Sequence, residues 1–185
     1  MYKFKRRHHR APVFSTILFI DSGYVLKART DNISEGGLLA SELPHYLQSE
    51  CFHLMFNLPR FPNFAETFDV IKDLRGRPYY LEGDVIRAEA KSVRQVKTPG
   101  IVEQVFILQE GWEFKKISTE DREKIASYVN ISRKNLHFLL DLYNAGIPGQ
   151  DELILHIAKI LGYGIADLSA LRLKLTHHLQ SLESL

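Results

Sequence analysis

The 185-residue chain is short of several things, and each shortage excludes something. It has one cysteine, Cys51, so no internal disulfide can form, which points to a reducing compartment or to indifference to redox. No apolar run reaches the roughly 18 residues that a membrane span needs. The basic start followed by residues 13–20 superficially resembles a secretory leader. Ser15 and Thr16 interrupt that run, however, and no small-residue cleavage site follows, so a strand in a cytoplasmic protein is expected. Net charge is only +2, so the molecule is not a polycation built to coat nucleic acid, and no DNA partner is expected.

Catalytic signatures are missing as well. There is no GxxxxGK[ST] phosphate loop, no GxGxxG after a strand and no GxSxG elbow. Cys51 and His53 share a strand face without a third member, which argues against a thiol nucleophile. His8-His9 and His177-His178 are adjacent pairs whose side chains diverge and lack partners at metal-ligand spacing. No pair of carboxylates is singled out as general acid and base. The expectation is a protein without catalysis, metal or cofactor.

What is present begins at the N-terminus. Hydrophobic residues make up 45% of the chain, enough for a real core. The first 20 residues hold five cations (Lys3, Lys5, Arg6, Arg7, Arg10) and no acid, which suits a local anion site. Arg6 and Arg10 stand four apart. Two guanidinium forks at that spacing can grip one phosphorylated, base-bearing ligand from two sides, because arginine binds phosphate bidentately and stacks on rings.

Residues 11–118 read as β-structure. A β-branched and aromatic run at 13–20, the turn Asp21-Ser22-Gly23 and a second extended run at 24–30 make a hairpin. Residues 31–37 read as a polar loop with two glycines able to take positive φ. Phe52, Leu54, Phe56 and Leu58 alternate and should face the core. A hairpin is expected over residues 67–90, turning at 75–78. A basic loop should follow at 91–100, then one long strand over 101–116, bent at Gly111. Strands at this spacing without intervening helices suggest an antiparallel barrel or sandwich.

At Ser118 the period changes. Ser118-Thr119-Glu120-Asp121 is a helix start, a break near Asn130-Ile131-Ser132 is expected, and residues 145–149 are a firm stop. Helices at 151–161 and 167–182 complete an all-helical last third. That third carries eight acids and seven bases from Glu120 onward, no signature for nucleic acid. Leu168, Leu175 and Leu182 repeat every seven residues, with Leu171 and Leu185 three beyond the first and last. Such a stripe either packs against Ile154, Ile157 and Leu161 or the barrel, or pairs with a second copy. The tail is thus a compact helical subdomain or a module for self-association and partner docking.

Arg6-x-x-x-Arg10 followed by Asn32-x-Ser34-x-x-Gly37, with a strand pair between, resembles the two-part signature of the PilZ domain family. The segments Gly83-Asp84-Val85-Ile86-Arg87 and Gly111-Trp112-Glu113-Phe114, and the helix start after Ser118, extend the similarity over about residues 3–130. The resemblance implies a six-stranded antiparallel β-barrel followed by three or four helices. It divides the chain into a barrel domain, 1–130, and a helical extension, 131–185. It also implies a non-catalytic receptor for cyclic di-GMP, a bacterial second messenger of motility or biofilm regulation. Arg6, Arg10, Asn32, Ser34 and Gly37 would hold the ligand, with Lys5, Arg7, Asp31, Gly36 and Arg87 as further candidates. Family members bind one ligand or an intercalated pair, and a cation before the first motif arginine, here Lys5, leans toward the pair. The protein partner is unknown, and a homo-oligomer through the C-terminal helices stays open. Two other readings stand beside this one: a ligand-independent interaction module, and a barrel that binds single-stranded nucleic acid through the 91–97 basic segment.

Overall fold

The computed structural model describes residues 8–43, 47–67, 82–99 and 106–183. Among these are seven strands, β1 (Ala11–Pro12), β2 (Thr16–Asp21), β3 (Tyr24–Ser34), β4 (Gly37–Ser41), β5 (Cys51–Pro59), β6 (Gly83–Pro99) and β7 (Phe106–Ile117). Three helices follow, α1 (Thr119–Ala145), α2 (Asp151–Ile160) and α3 (Leu168–Glu183). The sheet runs β1-β3-β2-β5-β6-β7-β4, and a further β3–β4 pairing closes six strands into a barrel, with β1 as the extra strand. This is the expected architecture. None of the described helices is long and apolar enough to cross a membrane.

Local chemistry explains much of the barrel. β2 and β3 meet at a two-residue turn in which Ser22 and Gly23 both take positive φ, 50° and 83°, with Asp21 paired to Tyr24. That turn matches the right-handed twist of the flanking strands, and glycine adopts its second position without strain. On β5, Phe52, Leu54, Phe56 and Leu58 are all buried, as the alternation demands. Phe52 and Phe19 pack on Trp112 with ring centroids 4.5 and 5.2 Å apart, edge to face. The indole N–H of Trp112 donates to the buried Glu110 carboxylate at 2.8 Å, so its polar atom is satisfied in the core. Asp21 is buried too and accepts the backbone N–H groups of Gln48 and Ser49 at 3.0 and 2.8 Å. Burial alone would raise its pKa; these donors outweigh that and hold the carboxyl below its ordinary value.

Several expectations are corrected. Residues 31–37 are not a loop: β3 continues through Ser34 and β4 starts at Gly37, joined by Glu35-Gly36. Neither Gly36 nor Gly37 is among the positive-φ glycines. Residues 91–99 are not a basic loop but the second half of β6, paired with β7 as far as Pro99 opposite Phe106. Cross-strand pairing organises this polar stretch, which has no local hydrophobic pattern to announce it. The strand expected from 101 is described from 106. Its pairing with β6 shifts register twice, between Glu89 and Ala90, where β7 skips Lys115, and between Ser92 and Arg94, opposite Trp112 and Gly111. Most of the hairpin expected over 67–90, including its turn at 75–78, lies outside the described residues, and its last part is the start of β6.

The chain divides into two compact units. One holds Pro12–Leu58 and Gly83–Ser127; the other holds Met1–Ala11, Pro59–Glu82 and Tyr128–Leu185. The second unit therefore takes in more than the stretch after residue 130. Its longest element is the later part of α1, which does not break at Asn130-Ile131-Ser132. Val129, Ser132, Leu136 and Leu139 are all buried at helical spacing, and a continuous buried face overrides weak local propensity. Ser118 caps α1 as expected, its hydroxyl accepting the Asp121 N–H at 3.0 Å. Asn135, fully buried, accepts the Phe64 N–H at 3.0 Å and donates to the Pro62 carbonyl at 2.9 Å. Leu171, Leu175 and Leu182 are fully buried, as are Leu153 and Ile157. Those three leucines of the stripe are covered within the chain itself, Leu168 is half-buried, and Leu185 lies outside the described residues.

Candidate ligand site on the barrel turn

The motif Asn32-x-Ser34-x-x-Gly37 occupies the β3–β4 hairpin. β3 slips one residue between Thr30 and Asn32, a bulge at Asp31 that re-aims the side chains beside it. Asp31 fastens the barrel: its two carboxylate oxygens accept the Ser41 hydroxyl and the Gln109 amide, each at 2.8 Å. Asn32, next in the chain, is half-buried, and its side-chain amide makes no hydrogen bond among the described residues. It therefore keeps both donor and acceptor available. Ser34 is buried and its hydroxyl donates to the Gly37 carbonyl at 3.1 Å, closing the turn on itself.

Gly37 is needed for close approach. A Cβ there would collide with the Trp112 carbonyl oxygen and lie 3.1 Å from Glu113 Cα, because Gly37 is in register with Glu113. The turn is also clamped from outside. The Gly36 carbonyl accepts the Phe114 N–H at 3.0 Å, and the Glu35 carbonyl accepts the Arg122 guanidinium at 3.0 Å. The first turn of α1 thus touches the motif turn directly. Arg122 belongs to the helix start that extends the family resemblance, but its contact is not legible in the sequence, since only the tertiary fold brings residue 122 to residue 35.

Arg87 stands elsewhere on the same barrel, where it lines a groove on the outer wall with Leu18, Met55 and Lys116. On β6 the residue in register with Glu113, and so level with Gly37, is Lys91 rather than Arg87. Lys5, Arg6 and Arg7 lie outside the described residues. Arg10 is exposed and directly precedes β1. Between the two motif arginines, His9 is half-buried and its Nδ1–H donates to the Leu182 carbonyl near the end of α3. In the sequence His9 reads as a spacer; the contact spans 173 positions, beyond the reach of any local pattern. Among the described residues no group of three or more His, Cys, Asp or Glu could hold a metal ion.

The closed barrel thus carries a bulged, externally braced turn whose Asn32 amide makes no hydrogen bond among the described residues. Residues 4–130 match the PilZ domain model, and the chain belongs to the PilZ domain family. Among solved structures it is similar to the inhibitor of motility MotI/DgrA of Bacillus subtilis, at 15% identity and TM-score 0.47. That match covers 68% of this chain and 49% of the other, so the chain spans about half the length of that protein. It is also similar to the PilZ domain with c-di-GMP of YcgR from Escherichia coli, at 13% identity and TM-score 0.44, over 65% of this chain and 86% of the other. No curated protein matches the chain.

Proposed function

We propose that this PilZ protein is a cyclic di-GMP receptor whose N-terminal arginine clamp passes ligand binding to protein–protein contact or oligomerisation. The observation that carries the reading is the pairing, in one member of this family, of Arg6-x-x-x-Arg10 with Asn32-x-Ser34-x-x-Gly37. The ligand has two phosphates and two guanines. Arg6 and Arg10 suit phosphate oxygens and the O6/N7 edge of guanine, and the unengaged Asn32 amide suits a base edge. Lys5 and Arg7 adjust whether one molecule or a stacked pair is held.

Two contacts support transmission. His9 lies inside the clamp and donates to Leu182 of α3, so ordering the clamp bears on the end of that helix. Arg122 joins the motif turn to the first turn of α1. Calorimetric titration with cyclic di-GMP tests the reading. Wild type should bind at or below tens of micromolar, and Arg6→Ala/Arg10→Ala should lose at least ten- to a hundredfold per contact, about 1.5–3 kcal/mol each. A double variant that binds as well as wild type would sink it. For transmission, nucleotide should change amide exchange in the last turn of α3 in wild type but not in His9→Ala; equal responses would remove the His9 route.

A further inference from the structure

The outer wall of the barrel carries an apolar groove that the motif does not use. Leu18, Ile20 and Val25 are 41%, 47% and 69% exposed, and Met55 is 38% exposed. Register makes them neighbours: Ile20 pairs with Val25, and Leu18 pairs with both Lys27 and Met55. The groove they line has a volume of about 550 Å³, inside the range of about 300–1,000 Å³ typical of binding clefts. A contiguous apolar face of this kind is how a soluble surface marks a partner site.

The chemistry at the rim narrows the partner. Arg87, Lys116, His53 and Glu89 border the groove, and Lys27 flanks Leu18 on the same face. Lys116 is neutralised by Glu89 at 2.9 Å. Arg87 and Lys27 are exposed, and their side chains have no hydrogen bond or ion pair among the described residues. The groove is therefore apolar along its floor and net cationic at its edge. Barrel closure narrows the geometry. Six strands pair all the way round, so β2, β5 and β6 offer no open edge and an extended peptide cannot add as a strand. Recognition has to run through side chains, and the element that presents an apolar stripe beside a charged one is an amphipathic helix.

We propose that this groove docks an acidic amphipathic helix of a partner protein, its apolar stripe on Leu18, Ile20, Val25 and Met55 and its carboxylates on Arg87 and Lys27. The groove shares no residue with Asn32-x-Ser34-x-x-Gly37, so it is tested without nucleotide, and failure of cyclic di-GMP binding does not affect it. The probe is a synthetic stapled helix with leucines at i, i+4 and i+7 flanked by glutamates, compared with the same peptide carrying lysine for every glutamate. Fluorescence anisotropy on the full chain at physiological salt should give binding of the acidic peptide on the order of tens of micromolar, and at least tenfold weaker binding of the basic one. Met55→Glu and Ile20→Glu, both at exposed positions, should each weaken the acidic peptide about tenfold while leaving the melting temperature within a few degrees. Arg87→Glu should weaken the acidic peptide and admit the basic one. Equal affinity for both peptides, or affinity unmoved by all three variants, overturns the proposal. So does concentration-dependent self-association abolished by Met55→Glu, which would make the occupant a second copy. Binding to anionic vesicles abolished by the same variants would overturn it as well, by assigning the groove to a membrane.

Discussion

At Gly37 the difference between hydrogen and methyl is large, because the Trp112 carbonyl occupies the space a Cβ would need. Gly37→Ala should lower stability by about 1–3 kcal/mol, the range for overpacking a tight contact, read as a drop in melting temperature. An unchanged melt would mean that β4 and β7 separate there at no cost. Asp21 makes a pH prediction. Its folded pKa lies below the ordinary 3.8, so the stability it contributes is complete above that value and is lost as pH falls through the folded pKa. Acid unfolding of Asp21→Asn should be less steep than wild type below about pH 4, and identical acid limbs would contradict the assignment. Asp21 reads in the sequence only as a turn residue. Its two backbone donors come from residues 48 and 49, which no local pattern connects to it.

Elements show where pattern reading works and where it stops. β5 was legible because alternation over Phe52, Leu54, Phe56 and Leu58 has one physical cause, a single buried face. The second half of β6 was not, because residues 91–99 are polar and take their strand conformation from pairing with β7. The continuity of α1 is decided in a related way: Asn130 and Ser132 favour a break locally, and the buried face through Leu136 and Leu139 prevents it. Asn135 holds the 59–67 segment to that helix. Asn135→Ala should therefore leave the Phe64 N–H and Pro62 carbonyl without partners and lower stability by about 2–3 kcal/mol in chemical denaturation. The His178 Nδ1, on α3, is hydrogen-bonded with the Tyr163 hydroxyl at 2.6 Å. Burial first, then Lys174 and His177, lower its pKa to about 4. The unfolded chain takes up that proton near 6.5, so stability is intact above this pH, falls as pH drops toward about 4, and levels off below. His178→Gln should flatten the stability profile across that window.

For the molecule as a whole, the telling contacts are those that join distant parts of one unit. His9→Ala removes the hydrogen bond to Leu182 and should weaken the last turn of α3 by about 1 kcal/mol, visible as faster amide exchange there while the barrel strands keep their protection. Unchanged exchange in α3 would show that His9 does not hold it. The leucine stripe of α3 could be seen in the sequence, but whether it is covered inside the chain or by a second copy could not. Leu171, Leu175 and Leu182 are buried within this chain, so any oligomer formed by the helices uses another surface, such as the exposed Leu173.

By itself the sequence determined the elements with strong periodicity, the turn at Ser22-Gly23, the start of α1 at Ser118 and the two motif halves that mark the family. These depend on residues close together in the chain, where period, capping and turn chemistry act. The tertiary structure alone decided that residues 31–37 are a braced hairpin, that residues 91–99 are strand, that His9 meets Leu182, and that Arg87 lines an apolar groove. Each of those depends on a cross-strand register or a contact many residues away, and such pairings are chosen by the packing of the whole chain.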